Sequence, residues 1–316
     1  MTQAKMSLAQ LIMQYQTASR TNPSPADAFR LPFDGFDLSR DPRRQVNNSV
    51  TSSPLASKTD AGSPIVPEKS MTGILDLRNI GFLLKLLLGQ PTTTGTGPYT
   101  HSFPVNLNAR PYALFEMQHT DISKFFRWLD VHCTKLAWDI RNNEQMITAS
   151  LLAGIEIDPV PTSAFDATPT TLSSFRANSG SGVISNGADA ALGQIIGGNI
   201  EIGSVIKPEE LANGLDGYSV FTPEEVTFKG KIKCIYEGEQ AYLLARNGTS
   251  TRLKMVSGAT IGANTFSLSV DMPYVELKEA APPRKGRSGI IVEHEFAAHA
   301  GATLPTVELI NDVASY

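Results

Sequence analysis

The sequence predicts a mainly β protein: an antiparallel β-sandwich or barrel with one packed α-helix, an N-terminal arm and long loops. Three observations lead there. Several segments place apolar residues at every second position, the habit of strands with one buried and one wet face. One stretch before residue 90 carries a wide leucine face at helical spacing. With 316 residues, 41% hydrophobic and 18% charged, the chain has material for one large core or two ordinary ones.

Leu8, Leu11, Ile12 and Tyr15 fall at i, i+3, i+4 and i+7 behind Ser7, which predicts a short amphipathic helix over 7–19. Thr21-Asn22-Pro23-Ser24-Pro25 ends it, so residues 1–40 read as an arm lying on the domain or on a neighbour. From 47 to 73 the chain turns to serine, threonine, proline and glycine, and Val50, Leu55, Ile65 and Val66 are its few apolar anchors. That composition predicts a long loop. Leu77, Ile80, Leu83, Leu84, Leu87 and Leu88 then form the face of a core helix over 74–89, stopped by Gly89 and Pro91.

Period two follows. Tyr99, His101, Phe103, Val105 and Leu107 alternate with polar or small residues, and Ile147, Ala149, Leu151, Ala153, Ile155 and Ile157 share a face. Val226, Phe228, Ile232, Cys234 and Tyr236 oppose Thr227, Lys229, Lys231 and Lys233, while Phe266, Leu268, Val270 and Met272 alternate with Thr265, Ser267, Ser269 and Asp271. Asn142-Asn143 separates strand patterns at 131–140 and 145–157 and predicts a hairpin; Asn186-Gly187 is a stronger turn signal. Phe125, Trp128 and Leu129 fit one helical turn facing a core better than a base-stacking surface. Residues 159–193 form a second tract rich in serine, threonine and glycine, an insertion or loop. The organisation expected is an arm over 1–40, a β domain over 41–300 and a C-terminal segment over 301–316.

Composition and motifs narrow the function. Lys and Arg number 27 against 31 Asp and Glu, a net charge of −4, whereas a protein that grips phosphates needs a basic stripe. Cys133 and Cys234 are too few for a disulfide framework and read as free thiols in strands. No apolar run approaches the roughly 20 residues of a membrane span, and the expectation is a soluble protein made in a cytoplasm. His294-Glu295 lacks the second histidine four residues on that a zinc-protease helix needs; His299 is five away, on the other face of a strand. Gly95-Thr96-Gly97 and Gly180-Ser181-Gly182 continue into no phosphate-loop motif. No catalytic, metal-binding or cofactor-binding residues are nominated.

The order of pieces resembles a known family. Gly73-Ile74-Leu75 leads to a helix ending Leu86-Leu87-Leu88-Gly89, and a threonine-glycine stretch leads to Tyr99-Thr100-His101-Ser102-Phe103. Lys135-Leu136-Ala137-Trp138 with Ile147-Thr148-Ala149-Ser150-Leu151 is similar to a central hairpin. Val226-Thr227-Phe228-Lys229-Gly230, Thr249 to Leu253, Phe266-Ser267-Leu268, Met272-Pro273-Tyr274-Val275 and Ile290 to Ala297 resemble its later strands. Together these resemble the major tail tube proteins of tailed bacteriophages, within the tail tube and type VI secretion tube-like superfamily. The likeness covers most of 45–300; residues 1–40 depart from it, as does Phe125 to Asp130, where a glycine-centred turn is expected.

The resemblance implies a structural virion protein of the tail, not an enzyme, with no cofactor. It implies hexameric rings stacked into a hollow tube that conducts DNA from capsid to host cell. The partners implied are further copies of the chain, a tape measure protein, tail terminator and baseplate proteins, and in some tails a sheath protein. Sheet edges recruit other chains, ring closure removes them, and head-to-tail contacts make filaments, so the physics agrees. Residues 47–73, anchored by Val50, Leu55, Ile65 and Val66, are the expected contact between rings. Lys229, Lys231 and Lys233 are expected to face the tube exterior or a subunit interface rather than the lumen. The competing readings are another tail, baseplate or capsid-surface protein, a carbohydrate-binding surface module, and a hydrolase with a dispersed site.

Overall fold

The computed structural model describes residues 5–47, 57–60, 62–105, 107, 110–185, 191–236, 240–280 and 290–316. The strands before the main helix are β1 (Ala9–Tyr15), β2 (Phe29–Leu31), β3 (Gly35–Phe36), β4 (Arg44–Asn47), β5 (Ser57–Asp60) and β6 (Val66–Ile74). Helix α1 (Ile80–Leu88) precedes β7 (Thr92–Thr94), β8 (Tyr99–Phe103), β9 (Ala113–His119), β10 (Lys124–Ile140), β11 (Met146–Ala153) and β12 (Ile155–Val160). Then come β13 (Ser179–Ser185), β14 (Ala191–Glu209), β15 (Val220–Ile235), the short helix α2 (Gln240–Arg246), β16 (Thr251–Ile261), β17 (Asn264–Leu277), β18 (Ile291–Ala298) and β19 (Thr306–Asn311). The fold is mainly β and antiparallel, as the alternating segments predict.

Strand β10 joins the two parts of the sheet structure. Its first half pairs with β9 and β12, and β9 continues through β1 to β2. Its second half pairs with β11, which leads to β6 and β3, and with β14, which leads through β15 to β18. Strand β17 pairs with β16 along one edge; its other edge passes from β19 to β18. Strand β13 links β16 back to β14, and β19 carries β8 and β7.

The two halves of β10 meet at Asp130, whose φ of 55° lies in the left-handed region, at a register shift between Trp128 and Val131. Such a backbone is uncommon for a residue other than glycine and needs outside support. The support comes from the first residues of the chain. Asp130 Oδ1 accepts from the Arg20 amide (2.9 Å) and Gln16 Nε2 (3.2 Å), Oδ2 accepts from Ser19 Oγ (2.7 Å), and the Asp130 amide donates to Gln16 Oε1 (2.7 Å). The N-terminal segment is therefore built into the fold at its main bend.

Four expectations need correction. Residues 9–15 are a strand, not part of a helix: Leu11, Ile12 and Met13 are all buried because both faces of β1 are covered, and a fully buried strand mimics helical spacing. Phe125 to Leu129 is the start of β10, with Trp128 Nε1 donating to Glu156 Oε2 at 2.9 Å. The stretch 47–73 is not one loop, since β4 pairs with β5 and residues 66–74 form β6 beside β11. Residues 301–316 are no separate segment, because β19 sits between β17 and β8. The Asn142-Asn143 hairpin between β10 and β11 stands; Asn186-Gly187 lies outside the described residues.

Helix α1 is shorter than the 74–89 expected. Asp76 sets its start, Oδ1 accepting from the amides of Arg78 (2.9 Å) and Asn79 (3.2 Å), and Gly89 at φ 107° ends it. Leu77, Ile80, Leu84 and Leu87 are buried, and so are Phe82, Leu83, Leu86 and Leu88, so the helix is apolar all round. Its one cation, Lys85, lies over the Tyr15 ring (4.1 Å) and donates to the main-chain oxygen of Tyr316 (2.6 Å). Among the described residues no helix is long and apolar enough to cross a membrane.

Candidate assembly surface

The longest antiparallel pair is the β14–β15 hairpin, which runs from Ile195 opposite Cys234 to Glu209 opposite Val220. Its inner face follows the sequence pattern: Ile200, Ile202, Phe228, Ile232 and Cys234 are buried. Burial pushes the Cys234 thiol up to about 11 and the Cys133 thiol up to about 12, so both stay protonated.

The outer face carries Lys229, Lys231 and Lys233, and each meets a carboxylate on a neighbouring strand. Lys229 Nζ lies 3.1 Å from Glu201 on β14. Lys231 Nζ sits between Glu293 (3.6 Å) and Glu295 (3.1 Å) on β18, and Lys233 reaches Glu293 at 3.5 Å. Lys278, just after β17, closes the row on Glu295 at 3.1 Å. Hydrogen bonds from Lys231 and Lys278 hold the Glu295 carboxyl below its usual range, and the bond to Glu295 raises the Lys231 ammonium. Rows of cations and anions thus alternate from strand to strand, at the spacing where opposite charges attract across a sheet. Sequence alone showed the lysines at alternate positions. Glu293-x-Glu295 was legible as a matching row, but its register beside them needed the fold.

Two depressions open on this face. One of about 520 Å³ is floored by Gly230, Phe296 and Ala297 and walled by the charged row. The other, about 400 Å³, lies toward the start of β14 over Gly197 and Gly198, with Ile196 and both signs of charge, Asp139 and Glu293 beside Arg141, Lys231 and Lys233, at its margin. A β-carbon at Gly198 would run into the Lys231 carbonyl, so bare backbone is required there.

At the hairpin's other end, the connection between β14 and β15 is braced from several sides. Arg20 Nη2 donates to the carbonyl oxygens of Asp216 (2.8 Å) and Tyr218 (3.1 Å) and to Ser219 Oγ (3.0 Å). Arg43 pairs with Glu210 (2.6 Å), which raises the guanidinium above its ordinary value. Gly217, at φ 78°, packs directly on the Gly154 carbonyl. Despite this bracing Leu211 and Leu215 remain 47% and 51% exposed. Arg43 precedes β4, so the β4–β5 hairpin rises from the same corner.

The residues expected between rings are dispersed by the structure. Val66 is 1% exposed within β6 beside Ala153, and belongs to the core rather than to an interface. Ile65 is half-buried and bridges Asp41, while Val50 and Leu55 lie outside the described residues.

A family model described as phage tail tube protein matches residues 15–298, nearly the whole chain. The chain belongs to the phage tail tube protein family. A search among curated proteins finds no match. Membership makes the protein a structural component of the phage tail that assembles with other tail components. Among the described residues no group of three or more His, Cys, Asp or Glu side chains is placed to hold a metal ion. His294 lies in β18 with Nδ1 on the Lys278 carbonyl (3.2 Å), and His299 Nε2 meets Ser250 Oγ (3.0 Å).

Proposed function

We propose that six copies of this chain close into a ring, that rings stack into a hollow tube, and that viral DNA passes through it from capsid to host cell. The observation that carries the reading is the tail tube family match over 15–298. The charge row supports it physically. Each lysine of the outer face is held by a carboxylate within 3.6 Å, so this face offers little net charge to a phosphate backbone. A conduit works only if the cargo slides. The role is mechanical, without a reactive centre. The partners are a tape measure protein, tail terminator and baseplate proteins, with a sheath protein in a contractile tail; synthesis is in the bacterial host's cytoplasm.

The purified chain should form rings or tubes with a central channel in negative-stain micrographs as concentration rises. A compact monomer at every concentration, with antibodies labelling virions elsewhere than the tail shaft, would overturn this reading. The 47–73 region meets the next ring through Val50, Leu55 and Ile65, while Val66 stays in the core of its own subunit. Replacing residues 48–56 with a short glycine-serine linker should leave the monomer folded and abolish tubes; tubes of normal length would remove the region from the contact.

A further inference from the structure

Asn79 stands at the start of α1 with only 5% of its surface exposed. Asparagine there commonly caps a helix by accepting from a main-chain amide. In this chain Asp76 does the capping, and the Asn79 side chain makes no capping bond. Its Oδ1 and its Nδ2 are both shielded from bulk solvent, and neither meets a protein partner. Exchanging the oxygen and nitrogen of the carboxamide changes nothing, because both positions are unpaired. Gln145 differs: its Oε1 is unpaired, but its Nε2 donates to the carbonyls of Arg141 (2.9 Å) and Ser179 (3.1 Å). Buried polar groups are nearly always bonded, so a carboxamide bare at both ends points to a partner outside the chain.

The space for that partner lies beside it. Asn79 lines a cavity of about 20 Å³ between the first turn of α1 (Ile80, Leu83), β6 (Thr72, Gly73) and the Leu31-Pro32 stretch after β2. One water molecule needs about 10–15 Å³ and about two to four polar partners. The cavity therefore has room for one water and not for two. Leucine and isoleucine make up much of its wall, so the carboxamide is the chief polar group. Thr72 adds a hydroxyl-bearing residue, and Gly73, having no side chain, meets the cavity with main chain alone.

We propose that this cavity is a binding site for a single internal water molecule, held by the Asn79 carboxamide and joining the first turn of α1 to β6. A water both donates and accepts, so one molecule answers both ends of the side chain. A small cation suits the site less well. It would leave the Nδ2 donor facing a positive charge, and it would compete for a carboxylate already in use: Asp76 Oδ1 accepts from the amides of Arg78 (2.9 Å) and Asn79 (3.2 Å), and Oδ2 from the Phe175 amide (3.3 Å). The site lies inside one subunit and does not depend on how copies assemble.

The test is a density map of the full chain, from crystals or assembled particles, fine enough to show ordered water. One peak should stand about 3 Å from the Asn79 carboxamide, and it should be missing from Asn79→Leu, a near-isosteric side chain with nothing to hold it. A wild-type map without that peak, or with Asn79 turned out to solvent, would overturn the proposal, and that map decides even if the leucine variant fails to fold. A peak that persists unchanged in Asn79→Leu would overturn the role of the carboxamide. A second measurement separates water from a cation: replacing sodium by choline at constant ionic strength should leave the urea unfolding midpoint of the wild type where it is. A midpoint that falls on removing sodium in the wild type, and not in Asn79→Leu, would make the ligand a metal ion and overturn the assignment to water.

Discussion

A β-carbon on Gly81 would fall inside the ring of Tyr316. The helix and the segment after β19 are thus in direct contact, backbone against aromatic face, with the Tyr316 hydroxyl donating to the Arg78 carbonyl (2.6 Å) and accepting from Asn311 Nδ2 (2.5 Å). Replacing Gly81 by alanine sets two effects against each other. Helix propensity favours alanine by about 1 kcal/mol, and overpacking costs about 1–3 kcal/mol. Gly81→Ala should therefore lower stability in urea unfolding. In a Tyr316→Leu background the same substitution should raise it, and that reversal of sign is the measurement to make.

His132 supplies a pH dependence. It is buried on β10 against Phe221 (ring centroids 4.3 Å) and Tyr112 (5.8 Å), and burial, with the Arg110 charge adding, lowers it from 6.5 to about 4. Because the folded state resists protonation, the unfolded state binds the proton first as pH falls. The neutral ring's contribution is intact above pH 6.5 and lost progressively down to about pH 4, on the order of 3 kcal/mol. Unfolding midpoints between pH 7 and 5 should fall with acid in the wild type. His132→Phe should flatten that slope; an unchanged slope would show that other groups carry it.

Glu116 is fully buried, and each of its oxygens is used. Oε2 accepts from Arg127 Nε (2.6 Å) and the Ala164 amide (2.9 Å), and Oε1 from Ser163 Oγ (2.6 Å) and Gln118 Nε2 (2.7 Å). The pair fastens the 161–166 loop to the sheet, since Arg127 Nη2 also donates to the Thr162 carbonyl. Removing one partner strands a buried charge at a cost of about 3–5 kcal/mol. Arg127→Met should lose stability of that order, and amide exchange should rise first at Ala164 and Phe165.

The charge row predicts a gain of function. With Glu293 and Glu295 in place, Lys231 and Lys233 are committed to them. Glu293→Gln with Glu295→Gln would free those ammonium groups, and Lys278 too, in every subunit. The variant should hold duplex DNA on a column at low salt and release it steeply as salt rises, where the wild type elutes early. Exposed pairs contribute little to folding, so the unfolding midpoint should stay where it is.

Much of this protein was determined by local sequence. Alternation at Val226–Cys234 and Phe266–Met272 placed β15 and β17 with the right faces buried, because a strand's two faces follow directly from odd and even positions. The leucines after residue 76 placed α1, and the order of short pieces from Gly73 to Ala297 pointed to the family. What tertiary structure decided lies where both faces of an element are covered, or where partners come from distant sequence. Leu8, Leu11, Ile12 and Tyr15 carry helical spacing and read as a helix, and only β2 and β9 on either side make the segment a strand. Val66 looked like a loop anchor until β11 lay beside it. The pairing of Lys231 with Glu293 and Glu295, and the bracing of residues 211–216 by Arg20 and Arg43, depend on register and on contacts across many tens of residues. Such contacts leave no periodic trace in the chain, because what selects each residue is a neighbour that local sequence does not contain.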